Sequence, residues 1–158
     1  MNDKFPDDLL ELAQHLATWE RRPRQASLRR SVSTAYYALF HLLTIETAKN
    51  WRRLTERPRI ARMIEHNRVK QACTEQMKQI GTSPQHGSTP FHLLTIASSF
   101  VQLQDHRHTA DYDHSVTWHQ TDVLQKIGMA RGAFVSWRTI RDSPEAQGFV
   151  ASLLVTRR

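Results

Sequence analysis

A cluster of histidines and aspartates between residues 106 and 119 holds the side chains best suited to chemistry. Its members are His106, His108, Asp111, Asp113, His114 and His119. Imidazoles and carboxylates transfer protons and bind metals. His106 and His108, however, are two residues apart and would point to nearly opposite sides of a helix. No His-x-x-x-His or Glu-x-x-His pair supports the cluster, so we expect no metal and no cofactor.

A second set of residues could contact phosphate. Arg59, Arg62, His66 and Lys70 recur at three- and four-residue spacing and form a basic stripe on one face of a predicted helix. The planar guanidinium of arginine matches the geometry of phosphate, so the stripe could follow a phosphate backbone. A plain solvated helix face would give the same pattern.

A third stripe combines aromatic and basic side chains. Arg30, Thr34, Tyr37 and His41 step by four, three and four along a predicted helix, opposite an apolar stripe. We expect this helix to be sandwiched between the core and a second surface, either residues 107–114 or a partner subunit. The alternative is that the tyrosine and histidine are simply buried and satisfied by hydrogen bonds.

Helices must position all of these residues. Apolar side chains recur with helical periodicity, and prolines stand just before the segments in which they do so. Thr89, Ser143 and a Thr117/Gln120 capping box mark three of the helix starts. The six predicted helices span roughly 7–20, 24–51, 58–80, 91–109, 117–141 and 144–155. The expected fold class is all-α, an antiparallel bundle of five to six helices in one domain over residues 1–158.

The charge of the chain is strongly uneven. Lys and Arg total 22 against 15 acids, a net charge of +7, and 17 of the 22 are arginine. Residues 21–70 contain 13 of the cations and only three acids. This favours a phosphate-bearing partner, although an Arg-rich solvated surface is an alternative. The chain has one cysteine, no apolar run of membrane-spanning length and no signal-peptide pattern at its start, so we expect a cytoplasmic protein away from membranes.

Two segments resemble small prokaryotic HEPN proteins, in which an R…A-Y-Y-A-x-F-H helix precedes an R-x-x-A-D-Y-D corner. Here they read RSVSTAYYALFH over residues 30–41 and LQDHRHTADYD over residues 103–113. The surroundings of His66 and the Ala130/Phe134 pair are also similar, so the resemblance covers roughly residues 10–140. It implies an antiparallel, commonly dimeric bundle that is often a ribonuclease or toxin, although many such proteins have no demonstrated activity.

The resemblance also implies site residues. HEPN ribonucleases are similar to one another in one short motif, an Arg that is followed by a His after four to six intervening residues. Two such pairs, one from each subunit, form a metal-free site across a dimer interface. In this chain the pair is Arg107 and His114. Supporting residues would be His108, Asp111, Tyr112, Tyr37 and His41, and RNA phosphates would be bound by Arg30, Arg59, Arg62 and Lys70.

RNA cleavage through the 2′-hydroxyl needs a base near neutral pH and a cation on the phosphate. A histidine and an arginine can supply these two functions. Three functions stay open. The first is a metal-independent endoribonuclease or toxin-like protein acting as a homodimer. The second is a non-catalytic HEPN module that binds a nucleotide or a partner protein, such as an antitoxin or a nucleotidyltransferase. The third is an RNA-binding protein without chemistry, in which Arg107 complements a helix dipole and the Asp-Tyr-Asp corner is turn architecture.

Overall fold

The computed structural model describes residues 1–155, and all regular secondary structure in that range is helical, with no strand. This confirms the predicted all-α class. A 3-10 turn at Leu54–Glu56 precedes the third helix. The seven helices of the described range are α1 Phe5–Thr18, α2 Gln25–Lys49, α3 Arg57–Met63, α4 His66–Ile80, α5 Thr89–Tyr112, α6 Gln120–Ile140 and α7 Pro144–Ser152.

Side-chain bonds between helix ends fix how α1 and α6 run. Gln120 at the start of α6 donates to the carbonyl of Ala17 at the end of α1, at 2.9 Å. Arg138 near the end of α6 pairs with Asp7 near the start of α1, at 2.7 Å. The two helices are therefore antiparallel.

Helix α2 lies at the centre of the molecule and packs on α1, α5 and α6. Its predicted apolar stripe, Leu28, Val32, Ala35, Leu39 and Leu42, is buried. On the opposite stripe Thr34 is buried, Tyr37 and His41 are half-buried and Arg30 is exposed. The chain's own helices therefore cover both sides of α2 along most of its length.

The predicted helix over 58–80 is wrong, because the chain breaks at Ile64 and Glu65. The described range therefore has seven helices rather than the five to six expected. Both residues have extended backbone, with ψ angles of 117° and 147°. The Ile64 side chain is buried at the break. The turn lets α3 pack on α2 while α4 packs on α5. The basic stripe is thereby divided, since its first two arginines lie on α3 and His66 and Lys70 lie on α4.

Two of the three predicted helix starts need correction. Ser143 caps α7 as predicted, accepting from the Ala146 amide at 3.1 Å. Helix α5 is capped by Ser88 rather than Thr89. The Thr117/Gln120 capping box does not form, because α6 begins only after His119 and the Gln120 amide group bonds to α1 instead.

Candidate functional site

Arg107 lies on the inner side of α5 with only 17% of its side chain exposed. Its guanidinium carbon is 5.1 Å from the centre of the Tyr36 ring and 5.9 Å from that of Tyr37. One terminal nitrogen is 3.8 Å from an Asp111 carboxylate oxygen. The Nε atom is buried and has no hydrogen-bond partner within residues 1–155. Two aromatic rings and one carboxylate therefore hold the Arg107 guanidinium, whose Nε–H has no hydrogen-bond partner in the described residues.

Tyr36 and His66 form a hydrogen-bonded pair beside this cation. The Tyr36 hydroxyl is 2.6 Å from His66 Nδ1, and the imidazole stacks on Phe40 with the ring centres 3.8 Å apart. Burial lowers the pKa of His66, and the positive charge of Arg107 lowers it further. Burial raises the pKa of the Tyr36 phenol, although nearby Arg107 opposes that shift. We therefore assign a protonated phenol that donates to a neutral imidazole.

Tyr36 was not among the site residues predicted from the sequence, and His66 was predicted to lie in a different environment. A signal for Tyr36 was present, because it lies four residues after Val32 and so falls on the buried side of α2. His66 was assigned to an exposed basic stripe, but the structure half-buries it among aromatic rings. Its position depends on the break before α4, which the periodicity did not reveal.

A polar groove of about 490 Å³, called here the Arg107 groove, opens beside the guanidinium. Lys70 supplies a second cation, whose Nζ is 3.4 Å from Asp105 Oδ1. Gln104 contributes a carbonyl oxygen that is buried without a hydrogen-bond partner in the described chain. The lining residues are Asn67, Lys70, Gln104, Asp105, Arg107, His108 and Thr109. Two cations and two amides make this groove suitable for a phosphate group.

The corner after α5 is tightly built. Helix α5 ends at Tyr112, and Asp113 Oδ1 accepts from the Ser115 amide at 2.9 Å and from its hydroxyl at 2.6 Å. These bonds lower the pKa of Asp113. From α2, Arg29 donates to the carbonyls of Ala110, Asp113 and Val116 at 2.5–2.9 Å.

His114 is exposed on this corner. Within the described residues, no hydrogen bond, ion pair or ring contact joins it to Arg107. A single chain therefore does not bring the two residues of the predicted pair into contact.

The predicted supporting residues separate into two groups. Asp111 pairs with Arg107 and accepts from the Ser33 hydroxyl at 3.4 Å, so it positions the guanidinium. Tyr37 also faces Arg107. In contrast, His108 and Tyr112 are exposed and contact each other, with ring centres 5.0 Å apart.

His41 belongs to another part of the surface. Burial lowers its pKa, and its ring meets Phe5 edge-on with the centres 5.0 Å apart. With His66 it lines a largely apolar groove of about 700 Å³ between α1, α2 and α3, which also includes Arg62. His41 therefore lies at a different groove from the one beside Arg107.

The four predicted phosphate-binding residues do not share one face. Arg30 is exposed near the start of α2, and Arg59 is exposed on α3, 3.8 Å from Glu56. Arg62 borders the apolar groove, and Lys70 borders the Arg107 groove. Among these four, only Lys70 lies at the groove beside Arg107.

Within residues 1–155, no three His, Cys, Asp or Glu side chains are grouped to hold a metal ion, and no helix has the length and apolarity to span a bilayer. Comparisons with protein-family models, curated proteins and solved structures gave no significant match. The resemblance to HEPN proteins therefore rests on the motif residues alone.

Proposed function

We propose that this protein is a HEPN-type, metal-independent endoribonuclease or toxin-like protein that acts in the cytoplasm as a homodimer. The observation that carries the proposal is the state of Arg107. It is a half-buried cation with an unpartnered Nε, held at a polar groove that also contains a lysine and two amides. A structural arginine would normally use its buried donors within the fold. A guanidinium and an ammonium that border the same groove support binding of an anion there.

In the proposed reaction Arg107 binds the scissile phosphate and His114 transfers protons. The imidazole takes the proton of the 2′-hydroxyl, and the 2′-oxygen bonds to phosphorus. The bond to the 5′-oxygen breaks, and that oxygen receives a proton from an imidazolium. The guanidinium stabilises charge on the non-bridging oxygens. The products are a 2′,3′-cyclic phosphate and a free 5′-hydroxyl.

A dimer would supply what one chain lacks. His114 is exposed on the corner, while Arg107 lies in the groove, so His114 of a partner subunit would complete the site. Tyr112 is 63% exposed beside His108, and exposed aromatic side chains are enriched at protein interfaces. We expect the interface to include residues 107–119. A monodisperse monomer in light scattering at micromolar concentration would contradict this arrangement.

The test is cleavage of single-stranded RNA in the presence of a chelator. We expect the wild-type protein to release 2′,3′-cyclic phosphate ends and to leave DNA intact. Arg107→Ala and His114→Ala should abolish cleavage, and Arg107→Lys should restore little because an ammonium lacks the two-pronged geometry. His86→Ala is the matched control, since His86 is also exposed and lies outside residues 107–119. Undiminished cleavage by His114→Ala would eliminate this assignment.

A second function is favoured by the corner itself. Asp113, Ser115 and Arg29 use their polar groups to shape the chain, and Asp111 positions Arg107. A non-catalytic module built this way would bind a nucleotide, or a partner protein such as an antitoxin or a nucleotidyltransferase, at the Arg107 groove. A pure dimer that cleaves no RNA between about pH 6 and pH 9, a range that covers the titration of histidine, would support this function.

A further inference from the structure

The segment from Trp51 to Arg62, called here the Trp51 segment, joins an exposed tryptophan to a run of arginines. It follows α2 and includes the 3-10 turn and most of α3. Its arginines are Arg52, Arg53, Arg57, Arg59 and Arg62, and its single acid is Glu56. The predicted basic stripe included only Arg59 and Arg62 from this segment.

The Trp51 side chain has no evident role in holding the fold. Its amide donates to the Ala48 carbonyl at 2.9 Å, and its own carbonyl accepts from Arg57 Nε at 3.0 Å. These main-chain bonds fix the turn, whereas the side chain leaves the residue 45% exposed. By contrast, Trp118 and Trp137 are buried in the core. The backbone at Trp51 is therefore held in place, and nearly half of the residue is accessible.

The arginines around Trp51 are largely unpaired. Within the described chain, Arg52 and Arg53 are exposed and form no ion pair and no side-chain hydrogen bond. Arg59 is 3.8 Å from the carboxylate of Glu56, a long contact between exposed groups that contributes little. Together with Trp51 these four residues line a groove of about 730 Å³. The groove presents three arginines against a single carboxylate.

We propose that the Trp51 segment binds single-stranded nucleic acid, with one base stacked on Trp51 and phosphates bound by Arg52, Arg53 and Arg59. Single-strand binding sites combine a positive groove with aromatic side chains on which bases stack. Arginine also matches phosphate with its planar donors. The segment shares no lining residue with the Arg107 groove, so this binding does not depend on whether RNA is cleaved.

Other polyanions fit the segment less well. An acidic protein would pair with the arginines but has no need of an exposed planar indole. A membrane surface favours apolar side chains gathered on one helix face. Here the exposed Trp51, Leu54 and Met63 are separated by arginines, and α3 has only seven residues. Stacking together with phosphate contact accounts for both the tryptophan and the arginines.

The first test uses tryptophan fluorescence with an oligothymidylate of about 15 nucleotides, a length near the upper site size of single-strand binding domains. DNA is used because the proposed ribonuclease would not cut it. Trp19→Phe leaves Trp51 as the exposed tryptophan, since the other two are buried. We expect saturable quenching in Trp19→Phe and little quenching in Trp51→Phe. A duplex of the same sequence, whose bases are already paired, should bind with much less quenching.

The second test measures affinity by fluorescence anisotropy of the labelled oligonucleotide. Trp51→Ala should weaken binding about 5- to 100-fold, the range expected for loss of one stacked base. Trp19→Ala is the matched control, because Trp19 is 59% exposed and is also followed closely by arginines. We expect the control to bind as the wild type does.

The third test is the salt dependence. Each phosphate contact adds about −0.7 to the log–log slope for single strands, so Arg52→Gln/Arg53→Gln together should flatten it by about 1.4. Arg21→Gln/Arg22→Gln removes the same charge from the other end of α2 and should leave the slope unchanged.

Three results would overturn the proposal. The first is an unchanged affinity in Trp51→Ala. The second is tighter binding to heparin than to the oligonucleotide, with no effect of Trp51→Ala, which would show a surface that responds to charge alone. The third is a blue shift of Trp51 emission on phosphatidylserine vesicles without oligonucleotide binding. Binding through Trp51 by a protein that cleaves no RNA would retain this inference and reject the ribonuclease.

Discussion

Arginines of the interior and arginines of the Trp51 segment have opposite environments in this protein. Arg29 donates to three main-chain carbonyls at the corner, and Arg107 lies between two tyrosine rings and a carboxylate. Arg52 and Arg53 instead extend into solvent. In the composition of the chain, each of these arginines counts equally as one positive charge. In the structure Arg29 and Arg107 are held by contacts within the described fold, whereas Arg52 and Arg53 are exposed and have no side-chain partner there.

The contrast has a consequence for stability. An interior side chain that is removed leaves a cavity or unpaired polar groups. An exposed side chain without partners can be removed at little cost, usually within about 0.5 kcal/mol. Substitutions in the two regions should therefore separate folding from binding.

The largest effect is expected at Tyr36, the centre of the interior cluster. Its ring is fully buried against Phe100 and contacts the Arg107 guanidinium. Tyr36→Ala should lower the free energy of unfolding by about 3–5 kcal/mol, as for other large buried aromatic residues. Urea denaturation measures this value. The control is Tyr112→Ala, because Tyr112 is 63% exposed. Similar losses in the two variants would contradict the buried position of Tyr36.

Arg29 should give the next largest effect. Its guanidinium satisfies carbonyls at the end of α5 and in the following turn, so Arg29→Ala removes three charge-assisted hydrogen bonds. We expect a loss of about 2 kcal/mol in the free energy of unfolding, near the value for one or two such bonds. Arg30→Ala is a closely matched control, since the adjacent Arg30 is exposed. A loss in Arg30→Ala as large as that in Arg29→Ala would show that charge, rather than the corner, is responsible.

The same substitution tests the link between the corner and the proposed chemistry. Arg29 lies on α2, yet it holds the segment that carries His114. If His114 transfers protons, Arg29→Ala should reduce RNA cleavage while oligonucleotide binding through Trp51 is retained. Loss of both activities in a folded variant would mean that the two regions are not separable.

Most of the fold could be predicted from the sequence, because helical periodicity is a local property. The stripe from Leu28 to Leu42 and the cap at Ser143 needed no knowledge of other helices. The break at Ile64 could not be predicted in this way. No glycine or proline interrupts residues 59–80, and only packing of α3 and α4 on different neighbours makes an extended residue favourable at Ile64.

Prediction of the site from the sequence was less complete. The resemblance to HEPN proteins pointed to Arg107, and the structure places this residue at a polar groove. Spacing could not identify Tyr36 and His66 as its neighbours, because they lie on α2 and α4 and meet only after the helices pack. Nor could it show that Arg29, far away in sequence, shapes the corner that carries His114. Pairings between distant segments depend on tertiary structure, which a local pattern does not encode.

The smallest expected effect is on the pH dependence of stability. Burial lowers the pKa of His66, His41 and His106 in the folded protein, below the value of about 6.5 for an unperturbed imidazole. Between the folded and unfolded pKa values the unfolded chain binds more protons, so protonation favours unfolding. The free energy of unfolding should therefore be highest above about pH 6.5 and fall as the pH decreases from there.

His66 contributes through the interior cluster, where protonation places a second cation near Arg107 and displaces the proton donated by Tyr36. His66→Gln cannot be protonated, so its stability should fall less steeply between about pH 7 and pH 5 than that of the wild type, a window that brackets the titration of imidazole. The slope that remains in the variant should come partly from His41 and His106. Urea denaturation across this window measures both slopes. A wild-type protein that becomes more stable as the pH falls would show that these imidazoles are charged in the folded state, and a neutral acceptor for the Tyr36 hydroxyl would then be excluded.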